Sequence, residues 1–128
     1  MLANAAEQDW EIEHIDMKSA YLNAPLMETI YIKPPCGVLK LDQKGKVLRL
    51  LKGLCGLKQA GRGWYLKMSS VFIKELGFKQ SATDHSVFYW HKVDEHTIIT
   101  VATDDMGVTS KHKAVTEKFK AEVKRYWE

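Results

Sequence analysis

Cysteine is nearly absent from this chain. Cys36 and Cys55 are the two among 128 residues, and they form no CxxC pair. A disulfide-stapled secreted scaffold or a structural zinc site needs more thiols or closer ones. The five histidines (His14, His85, His91, His96 and His112) have no zinc-ligand spacing beside them. No apolar run approaches the ~18–20 residues that span a bilayer, so no membrane partner is expected. The N-terminus lacks the basic-then-apolar layout of a secretory signal, and an intracellular setting is expected. Internal repeats, low-complexity tracts and linkers are missing too. What remains is one domain's worth of chain with ordinary globular proportions, 45% hydrophobic and 27% charged.

Charge is present but unevenly placed. Residues 1–39 hold two lysines against six acids, while residues 40–80 hold eight lysines and two arginines against Asp42 and Glu75. Residues 81–128 are close to balance, which leaves a formal net charge of +3. A basic middle between acidic flanks suits a polyanion-binding surface beside a cluster of carboxylates, although a solvated lysine-rich face produces the same count.

The elements follow from hydrophobic period. Met1–Gln8 is alanine-rich and helix-compatible. Trp10–Asp16 alternates, with Trp10, Ile12, His14 and Asp16 on one face, and predicts a strand ending at Asp16. Met17–Leu22 is a compact apolar stretch before a turn at Asn23-Ala24-Pro25. Thr29–Lys33 and Val47–Leu51 read as short strands, the first stopped by Pro34-Pro35, with a polar loop between Gly37 and Gly45. Trp64, Tyr65, Met68, Val71, Phe72 and Leu76 fall at helical spacings, with Gly77 just past the end. Ser86–Lys92 and Thr97–Thr103 form a predicted hairpin around a turn at Val93–His96, and Met106–Thr109 a third short strand. From Lys111 the tail is helical, with Val115, Phe119, Val123 and Tyr126 on one face. Strands alternating with helices indicate an α+β or α/β sandwich.

The stretch Ile98–Met106 organises the rest. Its β-branched residues fit a pleated, half-buried backbone, and the run ends in two adjacent carboxylates, Asp104 and Asp105. Like charges so close repel, and a divalent cation is the commonest way to offset that. Should the strand ending at Asp16 neighbour the one ending at Asp104-Asp105, three carboxylates converge on one point.

Longer motifs name a family. His-Ile-Asp-Met-Lys-Ser-Ala-Tyr-Leu-Asn (14–23) and Leu-Met-Glu-Thr-Ile-Tyr-Ile-Lys-Pro-Pro (26–35) resemble the first palm motif of copia-type retrotransposon reverse transcriptases and the segment after it. Leu-Arg-Leu-Leu-Lys-Gly-Leu-Cys-Gly-Leu-Lys-Gln-Ala (48–60) with Trp64-Tyr65 resembles the next block. Leu76-Gly77-Phe78 and Asp84–Phe88 resemble the approach to the aspartate pair. The resemblance covers nearly the whole chain. It implies an α+β fold, a right-hand polymerase palm with an antiparallel sheet packed on helices and part of the fingers. It also implies RNA-directed DNA synthesis using two Mg²⁺ ions, with Mn²⁺ as a substitute. Its partners would be an RNA or DNA template with primer and deoxynucleoside triphosphates.

By matching positions, Asp16 and Asp104 would bind the metals directly, Asp105 would assist, and the Met17 carbonyl would be a further ligand. Tyr21 would lie under the incoming sugar and Gln59 beside the incoming nucleotide. Lys52, Lys58 and Arg62 would hold phosphates, and Trp64 reads as a core anchor. Two positions depart from the family. Ala102-Thr103 stands where the aspartate-pair motif normally has Tyr-Val, and Ala60-Gly61-Arg62 where Ala-Pro-Arg is usual; the first loosens primer positioning, and the second exchanges a rigid turn for a flexible one. Residues 1–128 are expected to be a partial palm and fingers domain. The thumb and ribonuclease H parts of the parent polyprotein are expected to lie elsewhere, along with integrase, protease and early fingers strands. Negligible polymerase activity is expected of the chain alone, in a setting that the family makes a cytoplasmic virus-like particle or the nucleus. The rival readings are a palm that binds nucleic acid without chemistry and a two-metal nuclease.

Overall fold

The β-branched run Ile98–Val101 lies at the centre of a five-stranded antiparallel sheet in the computed structural model, which describes residues 1–37 and 45–127. A short helix α1 (Leu2–Glu7) leads into β1 (Ile12–Asp16), and a single 3₁₀ turn covers Ala20–Asn23. The small strands β2 (Tyr31–Ile32) and β3 (Leu48–Arg49) pair with each other in a separate two-stranded sheet. Then come helix α2 (Ala60–Ser70), which runs on as a π turn over Val71–Glu75, and β4 (Lys79–Gln80). The meander β5 (Val87–Lys92), β6 (Glu95–Ala102) and β7 (Asp105–Ser110) ends in helix α3 (Lys113–Trp127). Strand order is β1-β7-β6-β5-β4, so the first strand joins the last one at the sheet edge.

Alternation decides which face is covered. Met106 and Val108 on β7, Ile99 on β6 and Phe88 on β5 are fully buried beneath α2 and α3. Trp64, Met68 and Phe72, four residues apart, are the buried stripe of α2. Phe72 is the hub, its ring 5.2 Å from Phe88 and 6.0 Å from both Phe119 and Trp127. On the other face Met1 lies over Gly107, where a Cβ would come within 2.8 Å of the methionine methyl. This is an α+β arrangement, and no helix among the described residues is long and apolar enough to cross a membrane.

Several expectations shift in detail. Helix α2 begins at Ala60, four residues before Trp64, so Gly61 is in its first turn and not in a flexible loop. The π turn carries the Leu76 N–H to the Val71 carbonyl at 3.1 Å. Gly77 then takes φ +73°, and the Phe78 N–H closes on the Phe72 carbonyl at 2.8 Å. The turn after β5 is tighter than expected, because Glu95 and His96 are already in β6, opposite Lys92 and His91. In α3 the buried face is Thr116, Phe119, Val123 and Trp127, whereas Tyr126 is 42% exposed. The polar loop between Gly37 and Gly45 lies outside the described residues except at its ends.

Helix α3 is tied to β1 by charge. Lys120 donates to Glu13 and, at 3.1 Å, to Glu117. The Lys120 hydrogen bond holds the Glu13 carboxyl below its usual range despite some desolvation, and the Glu13 and Glu117 bonds raise the Lys120 ammonium. A depressed carboxyl pKa contributes stability above the usual carboxylate range, lost as pH falls through the depressed value. A raised ammonium pKa contributes below the usual lysine range and is lost as pH climbs past it. Glu13→Gln is therefore expected to lower the urea midpoint at neutral pH and to have no effect in strong acid. Equal midpoint losses at both pH values would contradict the assignment.

Candidate active site

Strand register brings the first and second aspartate motifs together. In the β1–β7 pair Asp16 is directly opposite Asp105, His14 opposite Gly107, and Ile15 opposite Met106. Residues opposite each other in an antiparallel pair share a face, so Asp16 and Asp105 leave the same end of the sheet on the same side. Contrary to what the β-branched run suggested, the Asp-Asp pair does not close β6. Thr103 and Asp104 form the two-residue turn between β6 and β7, and Asp105 opens β7 opposite Ala102.

That turn is held from two sides. The buried indole N–H of Trp64 donates to the Thr103 carbonyl at 2.7 Å, and the Met17 N–H, just past β1, donates to the Asp104 carbonyl at 2.9 Å. Thr103 itself takes φ +62°, a region that a β-branched residue enters only under strain. Asp104, Asp105 and Asp16 are all exposed. Asp105 Oδ1 lies 3.0 Å from His14 Nε2, while the Asp16 carboxylate makes no hydrogen bond to any described residue.

Carboxylate and carbonyl oxygens are the hard donors that Mg²⁺ takes. Among the described residues, however, no three His, Cys, Asp or Glu side chains gather into a ready-made cage. The two facts are compatible for magnesium, which keeps several waters and uses one or two carboxylates plus substrate phosphates. The donor set therefore fits the ion without enclosing it.

The remaining candidates are spread around this end. Tyr21 is half-buried in the 3₁₀ turn and helps line a cavity of about 290 Å³ with Gly61, Trp64, Val101 and Thr103. Gln59, the residue before α2, reaches Glu28 Oε2 at 3.4 Å. Lys52 is bridged through its backbone to Pro25. Lys52, Lys58 and Arg62 are exposed, and none makes an ion pair with a described residue. Two glycines let α2 and the 52–53 segment approach the 3₁₀ turn. A Cβ at Gly53 would lie 2.5 Å from the Tyr21 carbonyl oxygen, and one at Gly63 3.3 Å from the Pro25 carbonyl oxygen.

Sequence reasoning missed three contacts here. His14 beside Asp105 was readable in principle, since period two places His14 on the Asp16 face. The Glu28 partner of Gln59 and the Trp64 bond to Thr103 had no sequence signal, because each joins residues more than thirty positions apart.

Comparison with known proteins bears on the same residues. The profile of the family described as reverse transcriptase (RNA-dependent DNA polymerase) matches residues 1–128. The retrovirus-related Pol polyprotein from transposon TNT 1-94 of Nicotiana tabacum is 35% identical over 126 residues, 98% of this chain and 9% of that protein. The Pol polyprotein from transposon RE1 of Arabidopsis thaliana is 31% identical over 85% of this chain and 7% of its own length. The transposon Ty1-MR1 Gag-Pol polyprotein of Saccharomyces cerevisiae is 35% identical over 93% of this chain and 7% of its own. The chain thus spans less than a tenth of the length of these relatives. No solved structure matches it. With the profile matched end to end and the resemblance to copia-type motifs met by Pol relatives from plants and yeast, the chain belongs to the reverse transcriptase (RNA-dependent DNA polymerase) family.

Proposed function

We propose that this chain is the carboxylate-bearing part of a polymerase palm, with part of the fingers, whose ancestral task is RNA-directed DNA synthesis. The observation that carries the reading is the register of Asp16 against Asp105, with Asp104 in the adjoining turn and bonded through its carbonyl to the Met17 N–H. Asp16 and Asp104 would hold two Mg²⁺ ions, or Mn²⁺ in their place, with Asp105 assisting and the Met17 carbonyl as a further oxygen donor. Metal bound there would activate a primer 3′-hydroxyl and stabilise the leaving pyrophosphate.

The chain's own residues supply position and charge. The Tyr21 ring beside the cavity would occupy the space under an incoming sugar and disfavour a ribose 2′-hydroxyl, and Gln59 would bind the incoming nucleotide. Lys52, Lys58 and Arg62, exposed at the start of α2 and before it, would track template or primer phosphates. Exposed Ala102 places no ring at the end of β6, so a primer end would be held loosely. Misplacement of about 1 Å can cost roughly 10²-fold in rate, and polymerase activity of the chain alone is expected to be negligible. Thumb and ribonuclease H functions would come from other parts of a Pol polyprotein, in an intracellular setting.

Mn²⁺ titration followed by electron paramagnetic resonance tests the site. Asp104→Asn or Asp16→Asn is expected to weaken binding by at least about tenfold, the loss typical even for residues that only support a ligand. Asp16→Asn should also raise the urea midpoint slightly, because it removes a like charge directly across the strands. Undiminished Mn²⁺ binding in both variants overturns the metal assignment. Robust primer extension on an RNA template with Mg²⁺, abolished by Asp104→Asn, overturns the expectation of negligible activity.

Lys52, Lys58 and Arg62, exposed and without ion-pair partners among the described residues, favour a second reading, a nucleic-acid-binding module without chemistry. It expects salt-sensitive binding that survives loss of Asp16 and Asp104 and falls when Lys52, Lys58 and Arg62 are neutralised together.

A further inference from the structure

We infer that Trp64 is a positioning residue for the aspartate turn, its indole N–H fixing the Thr103–Asp104 backbone from beneath. The inference rests on the metal-site reading above and adds a residue that reading does not use.

Burial alone does not account for the contact. Trp64 is 2% exposed and packs 5.5 Å from Trp127, whose own buried indole N–H has no hydrogen-bond partner among the described residues. Two neighbouring tryptophans thus sit in one core, and among the described residues it is the one beneath the turn that gives its donor to a backbone carbonyl. The carbonyl it meets belongs to Thr103, whose φ of +62° is disfavoured for a β-branched residue. A hydrogen bond of 2.7 Å to that peptide opposes relaxation of the turn toward the β region. The next residue is Asp104, and its carbonyl in turn receives the Met17 N–H, one residue beyond Asp16. Trp64, Thr103, Asp104 and Met17 form a short chain of bonds that sets the β6–β7 turn against the end of β1. Helix α2 thereby reports to the candidate metal ligands without touching them, as an outer-shell partner does.

Trp64→Phe keeps an aromatic ring and deletes the donor. Mn²⁺ affinity is expected to fall about tenfold, in the range for lost outer-shell partners. Phe119→Leu, a core substitution at a ring that packs against Phe72 and Phe78, is expected to lower stability while leaving that affinity unchanged. Backbone amide exchange at Met17 should quicken in Trp64→Phe relative to Ile99 and Val108, and keep pace with them in Phe119→Leu.

Adding Thr103→Gly to Trp64→Phe relieves the backbone strain and guards against a variant too unstable to measure. Stability should recover in the double variant, and Mn²⁺ affinity should not, because glycine without the indole bond leaves the Asp104 backbone unanchored. Affinity that returns with stability, or that never falls in Trp64→Phe, overturns the inference. If wild-type Mn²⁺ binding proves independent of Asp16 and Asp104, the metal-site reading fails instead. Amide exchange still decides the positioning role, since unchanged relative protection of Met17 in Trp64→Phe overturns it.

Discussion

Phe72→Ala is expected to cost about 3–5 kcal/mol, the usual range for removing a buried phenylalanine. A small domain has roughly 5–15 kcal/mol in total, so this one change takes a large share of it. Phe72 joins every layer: it is fully buried on the π turn that continues α2, and its ring meets Phe88 from the sheet and both Phe119 and Trp127 from α3. Edge-to-face geometry with Phe88 and Trp127, at 78° and 86°, adds to the area term. No single neighbour can collapse into the space, because Phe88 is fixed by its strand and Phe119 by its helix. A urea midpoint that drops no further than for a surface change such as Lys79→Ala would show that the core is not organised around this ring.

The same core shows what was legible in the sequence and where legibility stopped. Trp64, Met68 and Phe72 repeat at helical spacing, and all three are buried as the period required. The alternation from Trp10 to Asp16 likewise gave β1 and its end, although the strand itself begins at Ile12. The α3 face was harder, because both Tyr126 and Trp127 follow Val123 at allowed spacings, three and four residues on. Packing against Trp64 and Phe72 selects Trp127, and that choice depends on residues more than fifty positions away.

Lys79–Gln80 gave no strand signal, since two polar residues have no period; pairing with Phe88 and Tyr89 alone makes them β4. The aspartate turn was misplaced for a related reason. Propensity extends a β-branched strand through Thr103, yet the chain reverses there at a φ that threonine disfavours. Tertiary bonds from Trp64 and Met17 sustain that reversal. Thus the carboxylates were legible as a motif, whereas the turn that carries Asp104 was not. Local preference and the observed backbone conflict at the very residue beside the candidate ligand, where strain of this kind is expected to gather.

Gly53→Ala should produce the second large effect, from overpacking. A Cβ at this position would lie 2.5 Å from the Tyr21 carbonyl oxygen, closer than any stable contact, and the atom it meets is backbone. No side-chain rotamer relieves that approach, so either the 52–53 segment or the 3₁₀ turn must move. The Gly53 N–H also donates to the Ala24 carbonyl at 3.1 Å, so retreat of the segment lengthens a bond that holds the turn. Forced overpacking of this sort costs about 1–3 kcal/mol, and here the displaced residue is the tyrosine that lines the cavity beside Thr103.

Gly56→Ala is the informative comparison. Gly56 has φ +94° with open space where a Cβ would go, so its substitution carries backbone strain of about 1–2 kcal/mol and no collision. Both variants should lose stability in urea. Only Gly53→Ala should shift the Tyr21 resonances in a two-dimensional NMR spectrum, together with those of Ala24 and Gly61. Equal and small shifts in the two variants would mean that the 3₁₀ turn does not rest on the Gly53 backbone. The close approach of Gly53 would then not be what places Tyr21 at the cavity.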